Sequence, residues 1–123
     1  MPSLHDSVFD NGLSVLDTDV ENLYICSQEP TTFAEASSTY KLGTKAGPTV
    51  GAPADRAGGG REVVVSAISD GVVNATGTAT HYALTDDSGS LLLATGALAA
   101  SQAVTSGNPF TLTSFAIGIP DPA

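Results

Sequence analysis

Apolar and polar positions follow different periods along this chain. From residue 3 to 20, Leu4, Val8, Leu13 and Leu16 fall near one face of a 3.6-residue period. Ser3 stands where an N-cap belongs, with Asp6 three positions on, a variant of the capping box, and Gly12 weakens the middle. The spacing predicts a short helix or capped arm over 1–21. Leu23–Ser27 predicts a short strand. Glu29-Pro30 ends it, because a residue before proline avoids the helical region. Thr31–Ala36 predicts one helical turn. From Lys41 to Arg61 periodicity disappears. Glycines at 43, 47, 51, 58, 59 and 60 and prolines at 48 and 53 predict an extended loop, 41–61. That is far longer than the usual connection of about 4–6 residues.

After Arg61 the period becomes two. Glu62–Ile68 is a β-branched run, and Asp70-Gly71 predicts a tight hairpin. Val72–Thr85 predicts a long strand with a bulge at Gly77, and Asp86-Asp87-Ser88-Gly89 a second turn. Ser90–Thr95 is the next strand, Leu98–Val104 pairs weakly, and Ser106-Gly107-Asn108-Pro109 is a third turn. Phe110–Ile119 is the last strand. Its apolar phase slips between Leu112 and Phe115, which a bulge near Thr113-Ser114 would explain. The pattern is all-β: a small antiparallel β-sandwich or open barrel, a meander of about five to seven strands. One β domain, 22–123, follows the N-terminal arm. Val63, Val65, Tyr82, Leu84, Leu92, Phe115 and Ile117 are the expected core.

Composition sharpens this picture. The chain has 123 residues, 6% aromatics, no Trp and a net charge of −9. An acidic chain repels nucleic acid and acidic membrane surfaces, so neither is an expected partner. Charge is also segregated. Asp6, Asp10, Asp17, Asp19, Glu21, Glu29 and Glu35 precede any base, and Lys41, Lys45, Arg56 and Arg61 share one window. Two readings fit this: a solvated acidic surface beside a mobile basic loop, or complementarity in which the arm of one subunit meets the loop of its neighbour. No basic segment followed by a long apolar run opens the sequence, so synthesis in a cytoplasm is the expectation. On that footing the sequon Asn74-Ala75-Thr76 carries no weight.

Candidate chemistry is thin. "ATHYALTDDSGSLLLATGAL" (79–98) brings His81, Asp86, Asp87 and Ser88 close in sequence. A nucleophilic serine needs a histidine within hydrogen-bond reach and backbone donors for an oxyanion. Here the histidine sits in a strand beside Ala79 and Ala83, and the acids sit in a turn. Asp17-Thr18-Asp19-Val20-Glu21 spaces carboxylates like the start of a calcium loop. Asn22 and Gln28 replace that loop's glycine and closing acid. One Cys and two His cannot close a four-ligand zinc site within one chain. Gly58-Gly59-Gly60-Arg61 lacks the Lys-Ser/Thr of a phosphate loop. Cys26, flanked by Ile25 and Ser27 in a strand, reads as a buried thiol. No catalytic residue, metal or cofactor is expected.

Two stretches carry a resemblance. "ICSQEPTTFAEASSTYKLG" (25–43) and "GTATHYALTDDSGSLLLATGALAASQAVTSGNPFTLTSFAIGIPDP" (77–122) resemble the two halves of small structural proteins from the virion modules of tailed bacteriophages and prophages. The resemblance implies a non-enzymatic virion protein made in the host bacterial cytoplasm. It implies, first, a capsid cement or decoration protein on the outer head surface. Its partners would be the major capsid protein and copies of itself, with a trimer favoured. The alternatives are a head-spike or turret base, a tail subunit and, less so, a glycan-binding adhesin domain. Leu4, Val8 and Leu13 of the arm and Lys41, Lys45, Arg56 and Arg61 of the loop are the expected contacts with capsid and neighbours.

Overall fold

The computed structural model describes residues 6–120, with side chains from residue 10 onward. Helix α1 spans Asp6–Asp19. Leu13 and Leu16, three apart on one face, are 2% and 8% exposed and belong to the main core. The helix lies against two strands defined below, β4 and β6. Its exit is pinned by the Glu21 N–H, which donates to the Thr85 carbonyl at 2.8 Å.

Strand β1 is Asn22–Cys26, β2 Lys41–Ala46, β3 Ala54–Asp55, β4 Arg61–Val65 and β5 Ile68–Val73. Then come β6, Gly77–Asp86, β7, Leu91–Val104, β8, Pro109–Leu112, and β9, Phe115–Ile119. The strands form two antiparallel sheets. One is a curled half-barrel of six strands in the order β7-β6-β1-β2-β5-β8. The other has the order β3-β4-β9. The expected all-β open architecture is what the chain adopts, but not as a simple meander. The chain leaves β5 through Asn74 and Ala75, whose N–H groups both donate to the Leu42 carbonyl, and re-enters beyond β1 as β6.

Alternation on β1 divides the packing. Leu23 and Ile25 face the main core with Val63, Val65, Leu84 and Phe110. Tyr24 and Cys26 face outward, where a π-helical turn, Glu35–Thr39, covers them through Ala36. The apolar outer face of β1 and β6 is therefore covered by the chain itself. Of the expected core, Val63, Val65 and Leu84 are fully buried. Tyr82, Leu92, Phe115 and Ile117 are half-buried and pack at its margins.

Several local expectations give way to tertiary structure. The 41–61 region is not one loop, because its first six residues form β2, bonded to β1 and β5. Gly43 is a packing residue there: a Cβ on it would lie 2.7 Å from the Val72 carbonyl oxygen and 3.1 Å from the Phe110 ring. Asp70-Gly71 is no hairpin and lies inside β5. A Cβ on Gly71 would lie 2.6 Å from Cδ1 of the Phe110 ring and closer still to two other ring carbons. Both glycines are bare so that one buried aromatic can lie flat on the sheet. Gly77 opens β6 rather than bulging it. The interruption instead falls between Ala79 and His81, placing Ala79 in the same cluster as Leu84 while His81 stays half-exposed. The phase slip at Thr113-Ser114 is real, but its cause is a change of sheet between β8 and β9.

Candidate functional site

The curled sheet does not close. Its two edges, β7 and β8, are joined where the Gln102 side-chain amide donates to the Thr111 carbonyl at 2.9 Å. A side chain crosses where a paired strand would use backbone. Beside this link lies a cleft of about 420 Å³ between residues 97–102 and 111–116. Tyr82 and Phe115 supply its aromatic wall, with ring centroids 4.3 Å apart and planes tilted by 38°. Tyr82 reaches the seam because it faces Gly96 on β7, where a Cβ would stand 2.6 Å from its hydroxyl. Leu98, Leu112 and several alanines complete the lining, with Thr111, Thr113 and Ser114 as polar members. None of the lining residues is ionisable at neutral pH. The cleft can hold uncharged, largely apolar groups, and its lining includes no carboxylate, imidazole, amine or thiol.

Sequence reasoning passed over this seam. Its signal is a charge gap: from Ser88 to Pro120 the chain contains no Asp, Glu, Lys, Arg or His. Folding gathers that run into β7, β8 and β9, so these strands carry no charged side chain of their own, although Glu29 borders β7 and Glu62 lies opposite Gly118 of β9.

The residues expected to make contacts are dispersed. Leu4 lies outside the described residues, and Val8 lies on α1 where side chains are not described. Leu13 sits in the chain's own core and is not offered to a neighbour. Arg61 grips Asp10 of α1 through Nε at 2.9 Å and Nη2 at 3.2 Å, and Asp55 of β3 through Nη1 at 2.7 Å. One arm–loop pair, Asp10 with Arg61, is thus made within the chain. Lys45 pairs with Asp70 at 3.1 Å, and Arg56 donates to the Gly59 carbonyl at 3.1 Å. Lys41 stands 5.9 Å from the centre of the Tyr24 ring. These four bases do not form one basic surface.

The histidine–aspartate–serine stretch of 79–98 is a clasped hairpin. His81 and Asp86 are five positions apart on one extended strand, about 17 Å. His81 Nδ1 lies 2.9 Å from the Thr80 hydroxyl, and its Nε2 is 3.7 Å from Glu29. Asp87 accepts from the Tyr24 hydroxyl at 2.7 Å and from Thr85. Partial burial opposes the charge of Asp87, but hydrogen bonds from Thr85, Tyr24 and Asn22 outweigh it and hold the carboxyl below its usual range. Burial, with Asp87 next to it, pushes the Tyr24 phenol up. Glu21 accepts the Ser88 N–H at 2.6 Å and is held low by it, while the neighbouring Glu21 raises Asp86. These acids order a turn.

Burial pushes the Cys26 thiol up to about 11, and its Sγ rests 3.8 Å from the Ala36 carbonyl. Among the described residues, no three His, Cys, Asp or Glu side chains gather as a metal site, and no helix is long and apolar enough to cross a membrane. Compared with protein families, curated proteins and solved structures, the chain matches none.

Proposed function

We propose that this chain is a structural protein of a tailed-phage virion, acting first as a capsid cement or decoration subunit that bridges shell proteins on the outer head surface. The observation that carries a binding role over a catalytic one is the state of its ionisable side chains. Asp10, Glu21, Lys45 and Arg61 are engaged in contacts within the chain, and the cleft at the seam has an uncharged lining. Such a molecule is built to present surface. The likeness of 25–43 and 77–122 to virion-module proteins supplies the biological setting. The acidic charge suits an outer surface kept away from packaged DNA.

Cement works by burying area at junctions between capsid subunits, commonly about 1,200–2,000 Å² per specific contact. The test is addition of the purified protein to heads that lack it. Co-sedimentation with heads, and DNA release at a higher temperature than from bare heads, is the expected result. Unchanged head stability, with infection blocked at adsorption in its absence, would promote the spike, turret or tail reading instead.

A further inference from the structure

We propose that the outer edge of β7 over Leu91–Gly96 is a self-association surface, on which the same edge of a second copy pairs antiparallel to continue the six-stranded sheet. The proposal rests on the assembly reading above and deepens its homo-oligomer part, naming the surface and the symmetry. Its first support is an unpaired edge. β7 is the terminal strand of its sheet and bonds to β6 along one side, from Leu91 opposite Asp86 to Val104 opposite Gly77. The backbone groups of the other side have no strand partner in the sheet. From 97 to 102 that side looks onto the seam and residues 111–116. From Leu91 to Gly96 it is clear of the seam, and Glu29, Pro30 and Thr31 flank only a shallow hollow beside Leu92–Thr95.

Natural proteins blunt such edges with charge, proline, shortness or bulges. This strand is 14 residues long and carries no charged residue and no proline. It does have irregularities. One is an extra residue near Leu93, inside the proposed joint, which the pairing has to accommodate; a wider one lies opposite Thr80 and confines the usable edge to the first half. Leu91 at its start is 53% exposed. The other sheet edge is a poor partner: β8 has four residues, begins with Pro109, and already accepts Gln102 at Thr111.

Charge selects the occupant and the direction. Two copies carrying −9 each repel over most of their surface, and they approach with least cost on the side built from the charge-free run 88–120. A parallel arrangement would set two Asp86-Asp87 turns side by side. The antiparallel one sends them to opposite ends of the joint, which is self-complementary about a twofold axis. The unit is therefore a twofold pair and not a trimer.

The test is sedimentation equilibrium of the full chain with no capsid present, so that its failure and the failure of the capsid reading are separate results. The wild type should form a dimer. Leu91→Lys with Thr95→Lys should weaken dimerisation by about tenfold or more, with Leu91→Lys alone as the milder variant should the pair unfold. Ala99→Lys, on the seam half of the same strand, should leave the dimer intact. Hydrogen exchange should show amides within 91–96 gaining protection with protein concentration. A wild-type monomer or trimer, a dimer indifferent to the Leu91 and Thr95 charges, or concentration-dependent protection elsewhere overturns the proposal.

Discussion

Phe110 and the glycines beneath it give the most exact test of the fold. The ring is 1% exposed and lies where Gly71 and Gly43 leave room for it. Phe110→Ala removes a fully buried ring and should cost about 3–5 kcal/mol. Gly71→Ala drives a methyl to 2.6 Å from Cδ1 of the ring and nearer still to two other ring carbons, far inside contact distance, so the ring or the sheet must shift. Overpacking of this kind costs about 1–3 kcal/mol, against which the lower chain entropy of alanine returns about 0.4–1 kcal/mol. If the sites were independent, the double variant would lose the sum. They are not: with the ring gone, the methyl added at position 71 enters the space it left, and the clash disappears. That methyl then recovers about 0.8 kcal/mol of burial. The double variant should thus be no less stable than Phe110→Ala alone, with a favourable coupling of about 2–4 kcal/mol. Urea unfolding followed by far-UV circular dichroism reads all four stabilities. Phe110→Leu can replace alanine if the larger deletion leaves too little folded protein. Additive losses would mean that the ring does not lie on Gly71.

Other outcomes follow from the clasps and the helix. Asp87 has its carboxyl depressed in the folded state, so its stabilisation is present above the unfolded value of about 3.9 and is lost as pH falls through the folded value. Tyr24→Phe should flatten that acid limb in denaturation measured at stepped pH, and an unchanged limb would exclude the Asp87–Tyr24 bond as its source. Arg61 and Asp10 are partly exposed, so a double-mutant cycle should give a coupling of only about 0.5–1 kcal/mol, shrinking with added salt. Leu13→Ala should cost about 2–5 kcal/mol, with a negligible loss contradicting the seating of α1 in the core. Cys26 should resist thiol reagents in the native protein at neutral pH and react once it is unfolded.

The strands legible in the sequence were those whose alternation is set locally. Glu62–Val65, the first part of the expected Glu62–Ile68 run, and the turn after Asp86 read directly, because β-branched residues and short acids report their own backbone preference, whereas Ile68 belongs to β5. Gly43 and Gly71 misled for one reason. Each looks like a breaker, yet each is bare to admit a ring from a residue far along the chain. Nothing near either glycine in sequence announces Phe110. At Thr113-Ser114 the apolar phase showed that the strand was interrupted, but it could not show that the two halves join different sheets. The seam was missed because attention to ionisable residues overlooks a site defined by lacking them. Its sequence mark, the uncharged run from Ser88 to Pro120, was present throughout.

The seating of α1 takes Leu13 and Asp10 out of the surfaces that the proposed assembly could use. A free arm would have offered Leu13 to a neighbour and Asp10 to a neighbour's loop. In the fold, Leu13 is core and Asp10 answers Arg61 of the same chain. The π-helical turn likewise covers Tyr24 and Cys26, which an outer subunit could otherwise have layered. Among the described residues, what remains uncovered includes the apolar side chains of Val15, Val64, Val72, Leu91 and Ile119 and, as backbone, the β7 edge beside the open seam. Backbone pairing is directional and tolerant of side-chain identity, so a joint made this way fixes orientation between copies while leaving the acidic surface free. Exposed ion pairs would contribute only about 0–1 kcal/mol each to such a joint and would weaken with salt. An uncharged strand joint is insensitive to ionic strength by comparison. Under the assembly proposed above, copies joined through the β7 edge would therefore hold across ionic strengths better than copies joined through the basic residues of the 41–61 region.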